Sequence, residues 1–436
     1  MSIKSEAERI QANIAAAYTA ASAKGATMPA EQNSDNLAEA VESIPTGGGG
    51  APVHVEEKDV NFWDYDGTLL YSYTLAEAQA LAELPPLPPA KRDFYEPDCW
   101  NWTLQELKDL ECPVSVAAIM KTVDDKTYVV INIPPTVKKT VTMRVKLWYQ
   151  VSAVLIDWGD GSNPENVVSS VSSGTDNRTI THEYPEYGEY TISLAGTGTV
   201  DMGHGQKTTS FITAETIVGG RVEDSVITEI YIGKYIRAVA YSIYLNPKLK
   251  VAQLNNRTTE ISTGFFPWCT NMEMIGIPPT VTKINGYAFE DMYHLKTISL
   301  PPSVQTISSE LVWNGSSRKI TIPPSCATSG GRYTYVDEIY LANGVKTIVA
   351  NMAYDNRRLR HITIPQSITD IGASAFGYCN KLSRIKFLPV TPPTVANASA
   401  FNGIPTDCVV EVPAASFSEY QNATNYSGIS AQMIGV

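Results

Sequence analysis

Leu359-Arg-His-Ile362-Thr-Ile364-Pro365-Gln-Ser-Ile368-Thr-Asp-Ile371-Gly-Ala-Ser-Ala375-Phe376 decides the architecture of this chain. Its apolar positions first alternate by two, then step by four, three and four. Alternation by two describes a short strand with one face inward, and the longer steps describe a helical turn that brings the chain back. Pro365 offers no N–H to a ladder, so the strand stops there. Each such segment reads as one coil.

The same phrase recurs on both sides, about every 23 residues, as Ile230-Tyr-Ile232, Ile275-Gly-Ile277, Ile298-Ser-Leu300, Ile320-Thr-Ile322, Ile339-Tyr-Leu341, Ile385-Lys-Phe387 and Val410-Glu-Val412. A repeat of that period is a solenoid, in which each unit buries its apolar face only against its neighbours. Cys269 and Cys379 each follow a repeat phenylalanine, Phe266 and Phe376, by three residues. That shared register makes them buried fillers. After Ile322 the spacing falls to 19 residues, and Pro323-Pro-Ser-Cys-Ala-Thr-Ser-Gly-Gly-Arg-Tyr-Thr-Tyr335 replaces the usual return, which predicts a bulge or cleft. These units resemble the BspA type of leucine-rich repeat, L-x-x-I-x-I-P-x-x-V-x-x-I-x-x-x-A-F-x-x-C. The resemblance implies a parallel β-solenoid used for adhesion and ligand recognition, not catalysis.

A second module spans about Asp124 to Ala214. Tyr128–Ile133, Thr140–Leu147 and Val154–Trp158 read as strands of a small sandwich. Asp157-Trp-Gly-Asp-Gly161 and His182-Glu-Tyr184-Pro-Glu-Tyr-Gly188-Glu-Tyr-Thr-Ile192 resemble the hallmarks of the polycystic kidney disease (PKD) domain, which implies an Ig-like extracellular spacer or weak binding module. Asp157, Asp160 and His182 read there as turn and packing residues rather than metal ligands.

Asp64-Tyr-Asp66-Gly-Thr68 resembles the first motif of haloacid dehalogenase-like phosphatases, in which the two Asp residues are nucleophile and general acid/base beside Mg²⁺. Glu56-Glu-Lys-Asp59 precedes the motif instead of the buried parallel strand such enzymes need. Val60–Tyr65 and Thr68–Tyr73 around Asp66-Gly67 read instead as a β-hairpin. Thr74-Leu-Ala-Glu77 and Thr103-Leu-Gln-Glu106 are capping boxes that open two short helices, with Trp100 and Trp102 nearby.

At the start, Ile10, Ile14 and Tyr18 form one helical stripe, and Leu37, Val41 and Ile44 a second. Lys24-Gly25, Pro29, Val41-Glu-Ser-Ile44-Pro45 and Gly47 to Gly50 resemble the N-termini of bacteriophage tail fibre and receptor-binding proteins. The resemblance implies attachment to a virion, commonly as a homotrimer. The hairpin string and the W-N-W segment also resemble a module of those proteins.

The 436 residues carry a net charge of −12, which argues against a nucleic-acid partner, and only 18% of them are charged. Met1-Ser-Ile-Lys-Ser-Glu-Ala-Glu-Arg has no apolar h-region and no apolar run approaches 18 residues, so neither Sec export nor membrane insertion is expected from these signals. Six scattered cysteines suggest neither a zinc site nor a disulfide framework.

The expected fold is thus multidomain and mainly β. Residues 1–50 are a helical attachment region, 51–120 a hairpin and short-helix module, 121–215 a PKD-like sandwich, 216–413 the solenoid and 414–436 a C-terminal cap. The expected function is that of a phage or tailocin tail fibre or receptor-binding protein, located in the virion tail after synthesis in the bacterial cytoplasm. It would bind a host surface glycan or protein and, through residues 1–50, other tail or baseplate proteins. A BspA-like cell-surface adhesin is the alternative, and a phosphatase the remote one. No catalytic residue, cofactor or metal is expected. Outward positions of the ladder are Tyr231, Gly276, Ser299, Thr321, Tyr340, Thr363, Lys386 and Glu411. Because sugars stack on exposed rings, the expected ligand contacts are Trp313, Arg332, Tyr333, Tyr335 and Tyr340 at the irregular stretch.

Overall fold

A computed structural model describes residues 55–203, 210–216, 223–234, 236–237, 243, 245–308, 311–312 and 317–436. The two N-terminal helices expected at 6–23 and 35–44 lie outside the described residues. Glu57–Val436 form one compact unit.

Its first part is a four-stranded sheet, ordered β2-β1-β4-β3, from β1 (Val60–Trp63), β2 (Leu69–Tyr73), β3 (Tyr95–Trp100) and β4 (Val114–Thr122). The hairpin β1–β2 turns at Gly67, whose φ of 90° is open to glycine at no steric cost. Both capping boxes form, on α1 (Leu75–Gln79) and α2 (Leu104–Lys108). One expectation fails: β1 is fully buried and lies parallel to β4, so the Asp64 motif does follow a buried parallel strand.

The next strands are β5 (Thr127–Ile133), β6 (Val137–Asp157), β7 (Glu165–Val168), β8 (Thr175–Glu183), β9 (Gly188–Met202), β10 (Ile212–Thr216), β11 (Glu223–Ser225), β12 (Ile227–Tyr231), β13 (Ile236–Arg237) and β14 (Val251–Gln253). They form one bent, ten-stranded sheet. The two strands expected at 140–147 and 154–158 are a single strand, β6, kinked at Tyr149 (φ 63°), where its register against β9 shifts between Trp148 and Ala153. Such a bulge bends a strand without ending its ladder. The sheet then runs across the expected boundary at 215/216: β12 pairs antiparallel with β5 on one edge and parallel with β14, of the solenoid, on the other.

The solenoid follows in two ladders per coil. The longer strands are β16 (Met274–Gly276), β18 (Leu295–Ser299), β20 (Ser317–Ile322) and β21 (Val336–Leu341), then β23 (His361–Ile364), β25 (Arg384–Phe387), β27 (Val409–Val412) and β28 (Met433–Gly435). Ile275, Ile298, Ile320 and Ile339 stand in register in the first set, Ile362, Ile385 and Val410 in the second, and all are buried. On the return side, β15 (Glu260–Ile261), β17 (Lys283–Ile284) and β19 (Thr306–Ile307) form one short ladder, and β22 (Thr347–Ile348), β24 (Asp370–Ile371) and β26 (Thr394–Val395) another.

The return is therefore not helical. Its N–H groups bond to the adjacent coil, as Gly372 N–H to Ile348 O and Ala353 N–H to Ala375 O, instead of four residues back. Left-handed residues recur one repeat apart at this corner: Trp268 and Asp291, then Arg332, Asp355, Tyr378 and Gly403, with φ between 55° and 71°. Inside the coils Phe266 stacks on Phe289 and Phe376 on Phe401, each pair with centroids 6.0 Å apart. Cys269 and Cys379 are fully buried, and their thiols donate to Ile243 O and Ala353 O. Burial pushes the Cys379 thiol up to about 12, the value of a filler rather than a nucleophile.

At the far end Tyr420, on α3 (Phe417–Asn422), and Tyr426 are buried against Phe387 and donate to Pro389 O and Pro393 O. The last residues add β28 to the ladder beside β27.

The hairpin module and the solenoid are joined through Asn101, which is 1% exposed. Its amide donates to Ile277 O and Ser299 O and accepts from Ala117 N–H at 2.8 Å. Asn101→Ala strands these buried groups, so urea denaturation is expected to show a loss of about 1–3 kcal/mol; an unchanged midpoint would mean that the module does not depend on this contact.

Candidate functional site

Half of the ladder's outward row is not available to any ligand. The 57–122 module lies on it: Tyr231 stacks on Tyr95 at 4.5 Å, Thr321 donates to Pro113 O at 2.7 Å, and Ser299 donates to Ser115 O. Trp102 closes the contact by donating to Leu300 O at 2.9 Å. Gly276 has no room for a side chain, since a Cβ there would sit 2.9 Å from that of Ala117. Ion pairs of Arg318 and Lys319 with Glu57, and of Arg92 with Glu189 and Glu229, rim the covered area. Tyr231, Gly276, Ser299 and Thr321 are thus interior residues.

Beyond the module Thr363 is exposed and Tyr340 and Lys386 are half-buried, while Glu411 is buried against Arg384, and between Tyr340 and Thr363 the ladder breaks. β21 and β23 belong to different sheets although Ile339 and Ile362 keep the 23-residue spacing. A cleft of about 640 Å³ opens between them, lined by Asp337, Glu338, Tyr340, Arg357, Arg358, Arg360, His361, Thr363 and Lys381 together with the buried Ile339. Four permanent cations thus face two carboxylates in a chain that is acidic overall.

The acids are already engaged. Asp337 pairs with Arg358 at 3.6 Å, and Glu338 accepts from the Tyr340 hydroxyl at 2.7 Å with Lys319 at 3.8 Å. Arg357 is held by Asp355 through two bonds of 3.2 and 3.1 Å. Among the described residues, no ion pair or side-chain hydrogen bond engages Arg360 or Lys381, and both are exposed. Such a cleft concentrates positive potential toward solvent.

The expected contact residues separate accordingly. Tyr340 lines the cleft. Tyr335 and Arg332 are half-buried beside it in sequence, with Arg332 at φ 61°. Trp313 lies outside the described residues. Tyr333 is a correction: it is fully buried, its hydroxyl donates to Ser329 O at 2.8 Å, and it offers no ring to a sugar. Part of the irregular stretch 323–335 packs inward, with Ser329 N–H on Thr347 O and Tyr333 N–H on Met352 O. The cleft described above lies one coil later. Two signals in the sequence pointed to this: the run Arg357-Arg358-Leu-Arg360-His361, and the small outward residues at Gly276 and Ser299 against long ones at Tyr340 and Lys386.

Two other sets of residues have different roles. Asp160 accepts from Ser162 N–H and pairs with His182 at 2.7 Å, while the His182 ring stacks on Trp158 and the Tyr184 hydroxyl donates to Trp158 O. These are turn and packing contacts. Burial opposes the Asp160 charge, but its hydrogen bonds win and hold it down to about 2. Its contribution to stability is therefore complete above an unfolded value near 3.8 and is lost as the pH falls toward 2. Asp64 is 3% exposed, and Lys91 bridges it and Asp66 at 2.8 and 2.5 Å. Burial raises the Asp64 carboxyl, the direction opposite to that which favours a nucleophile.

Residues 222–335 and 331–415 match the BspA type leucine-rich repeat region, in six copies. The solenoid is thus built of BspA-type repeats, as its register indicated. Among solved structures the chain is similar to a leucine-rich repeat protein from Bacteroides ovatus, at 17% identity over 48% of this chain and 66% of that one, with a TM-score of 0.27. It is also similar to the pneumococcal vaccine antigen PcpA, at 13% identity over 48% and 69%, with a TM-score of 0.23. The chain spans about two thirds of the length of each. No curated protein matches it.

Two outcomes check this geometry. Tyr333→Ala is expected to cost about 3–5 kcal/mol in chemical denaturation, as for other buried aromatics, whereas a surface ring would cost almost nothing. Replacing Asp160 by Asn should remove part of the loss of thermal stability expected between pH 4 and pH 2; an identical acid profile would mean that the carboxylate is not held low.

Proposed function

We propose that this chain is a surface-recognition protein of the BspA adhesin kind, which binds its target without making or breaking bonds. The observation that carries the reading is the division of the solenoid's ladder. Its first strands are spent on the 57–122 module, and its later strands keep an open face with a cleft whose cations are only partly paired. The target would be a glycan or a protein on a cell surface. The Asp64 motif has the geometry of a structural knot, with Lys91 held between the two carboxylates.

A second reading adds a location. The residues Lys24-Gly25, Pro29 and Gly47 to Gly50, and the hairpin module, support a place in a phage or tailocin tail. Residues 1–50 would then dock to other tail or baseplate proteins and hold three copies together, and the target would be the host surface.

Labelled full-length protein is expected to adsorb saturably to whole bacteria from a panel of gut species, and a chain shortened by residues 1–50 to adsorb with the same single-site affinity. Failure to adsorb to any member of the panel would sink the recognition reading. Light scattering separates the two locations: trimers lost on removing 1–50 support the tail fibre, and a monomer in both forms supports the simple adhesin.

A further inference from the structure

Next to the cleft lies a second hollow, of about 310 Å³, lined by Tyr354, Asp355, Tyr378, Asn380 and Gly403. Tyr354 and Tyr378 meet edge to face at 5.5 Å, and Tyr378 is 52% exposed. The backbone presents that ring. Tyr378 takes a left-handed φ of 60°, which a tyrosine adopts only at some cost, and Gly403 leaves space where a Cβ would lie 2.8 Å from the ring. An exposed ring with a carboxylate and an amide at its edge is the chemistry that holds a sugar: C–H groups stack on the aromatic face while hydroxyls find polar partners.

The two hollows share a wall. Asp355 lines the smaller one, Arg357 lines the cleft, and the two side chains clasp each other through paired hydrogen bonds. From this pair the cleft runs on past Arg358 to Arg360 and Lys381. Repeat spacing accounts for the layout, because Lys381 stands one coil on from Arg358 and Tyr378 one coil on from Asp355. The opening between β21 and β23 gives a bulky anion access that a closed ladder would deny.

From this juxtaposition we infer that the two hollows form one site for an acidic glycan, with a sugar ring on Tyr354 and Tyr378 and an anionic group of the same chain in the cleft at Arg360 and Lys381. The inference rests on the recognition reading above and narrows its target to one class. Carboxylate and phosphate are both suited to the cleft, since guanidinium groups pair with either in the same forked geometry. A neutral glycan would leave Arg360 and Lys381 without a partner, and an anion without a ring would leave Tyr378 idle.

Isothermal titration of the full chain with three polymers tests this: polygalacturonate, poly(glycerol phosphate) and neutral dextran. Polygalacturonate carries both ring and charge and is expected to bind, more weakly as salt rises. Poly(glycerol phosphate), which lacks the ring, shows whether phosphate can occupy the cleft, at lower affinity. Arg360→Glu combined with Lys381→Glu should weaken binding at least tenfold. Tyr378→Gly, which suits the left-handed backbone, should weaken polygalacturonate several-fold and leave poly(glycerol phosphate) unchanged. Circular dichroism confirms that each variant is folded, and both sites are exposed enough to tolerate the change. Equal binding of dextran, or unchanged binding by the charge-reversed variant, overturns the inference. So does failure of both acidic polymers to bind. If the charge-reversed protein still adsorbs to whole bacteria as the parent does, the acidic glycan is excluded while recognition stands; if the parent adsorbs to none, recognition itself falls.

Discussion

A parallel ladder cannot satisfy its own ends. Each coil of this solenoid both donates and accepts backbone hydrogen bonds on either side, as Gly372 N–H to Ile348 O of the coil before and Phe376 N–H to Ala400 O of the coil after, so the first and last coils leave rows of backbone groups that must find partners elsewhere. Much of the molecule follows from that constraint. At the start, β12 solves it by pairing with β14 on one side and with β5 of the bent sheet on the other, so the 121–215 region covers the solenoid's first coil. At the end, the chain turns back through Tyr420 and Tyr426 and lays down β28. A boundary between this sheet and the solenoid therefore has little mechanical meaning: the same ladder of backbone hydrogen bonds runs through both.

The second demand on the ladder is lateral. Its outward face is a row of side chains one strand apart, and in this chain that row is divided. Gly276, Ser299 and Thr321 are small because Ala117, Ser115 and Pro113 lie directly on them. Tyr340 and Lys386 are long and only half-buried, and Thr363, the same residue type as Thr321, is exposed because nothing among the described residues lies on it. The polar bonds under the module are few but well buried, with Asn101 and Trp102 each reaching a carbonyl of the ladder edge. Exposed ion pairs such as Arg318 with Glu57 add little beside these.

What could be read from sequence follows this division. Inward positions obey a period that the neighbouring coil enforces, and Ile362, Ile364, Ile368 and Ile371 were legible for that reason. The hairpin, both capping boxes and the buried thiols were legible because each depends on residues close by or on the repeat itself. The return turn was not. Steps of three and four fit a helix, but Gly372, Ser374 and Tyr378 belong to a chain whose hydrogen bonds go sideways to the next coil, which spacing alone does not reveal. Tyr333 was misplaced for a related reason: a tyrosine in an irregular stretch reads as exposed, and only its neighbours Ser329 and Met352 show that it fills the core. The cover over the first strands was hidden too, because it joins residues nearly 200 positions apart, as Asn101 and Ser299.

The break between β21 and β23 also separates what is fixed from what is free. Coils up to β21 are held in number by the module lying across them, since an added coil there would slide Gly276, Ser299 and Thr321 out from under their partners. Coils after β23 bond to one another, to the coil before them through β22 and β24, and to the terminal cap, and among the described residues no hydrogen bond or ion pair joins them to the 57–122 module. Whole repeats could be inserted or deleted in that segment without a single mismatch upstream. The exposed face can thus change in length, one coil at a time, while the covered strands keep every partner they have.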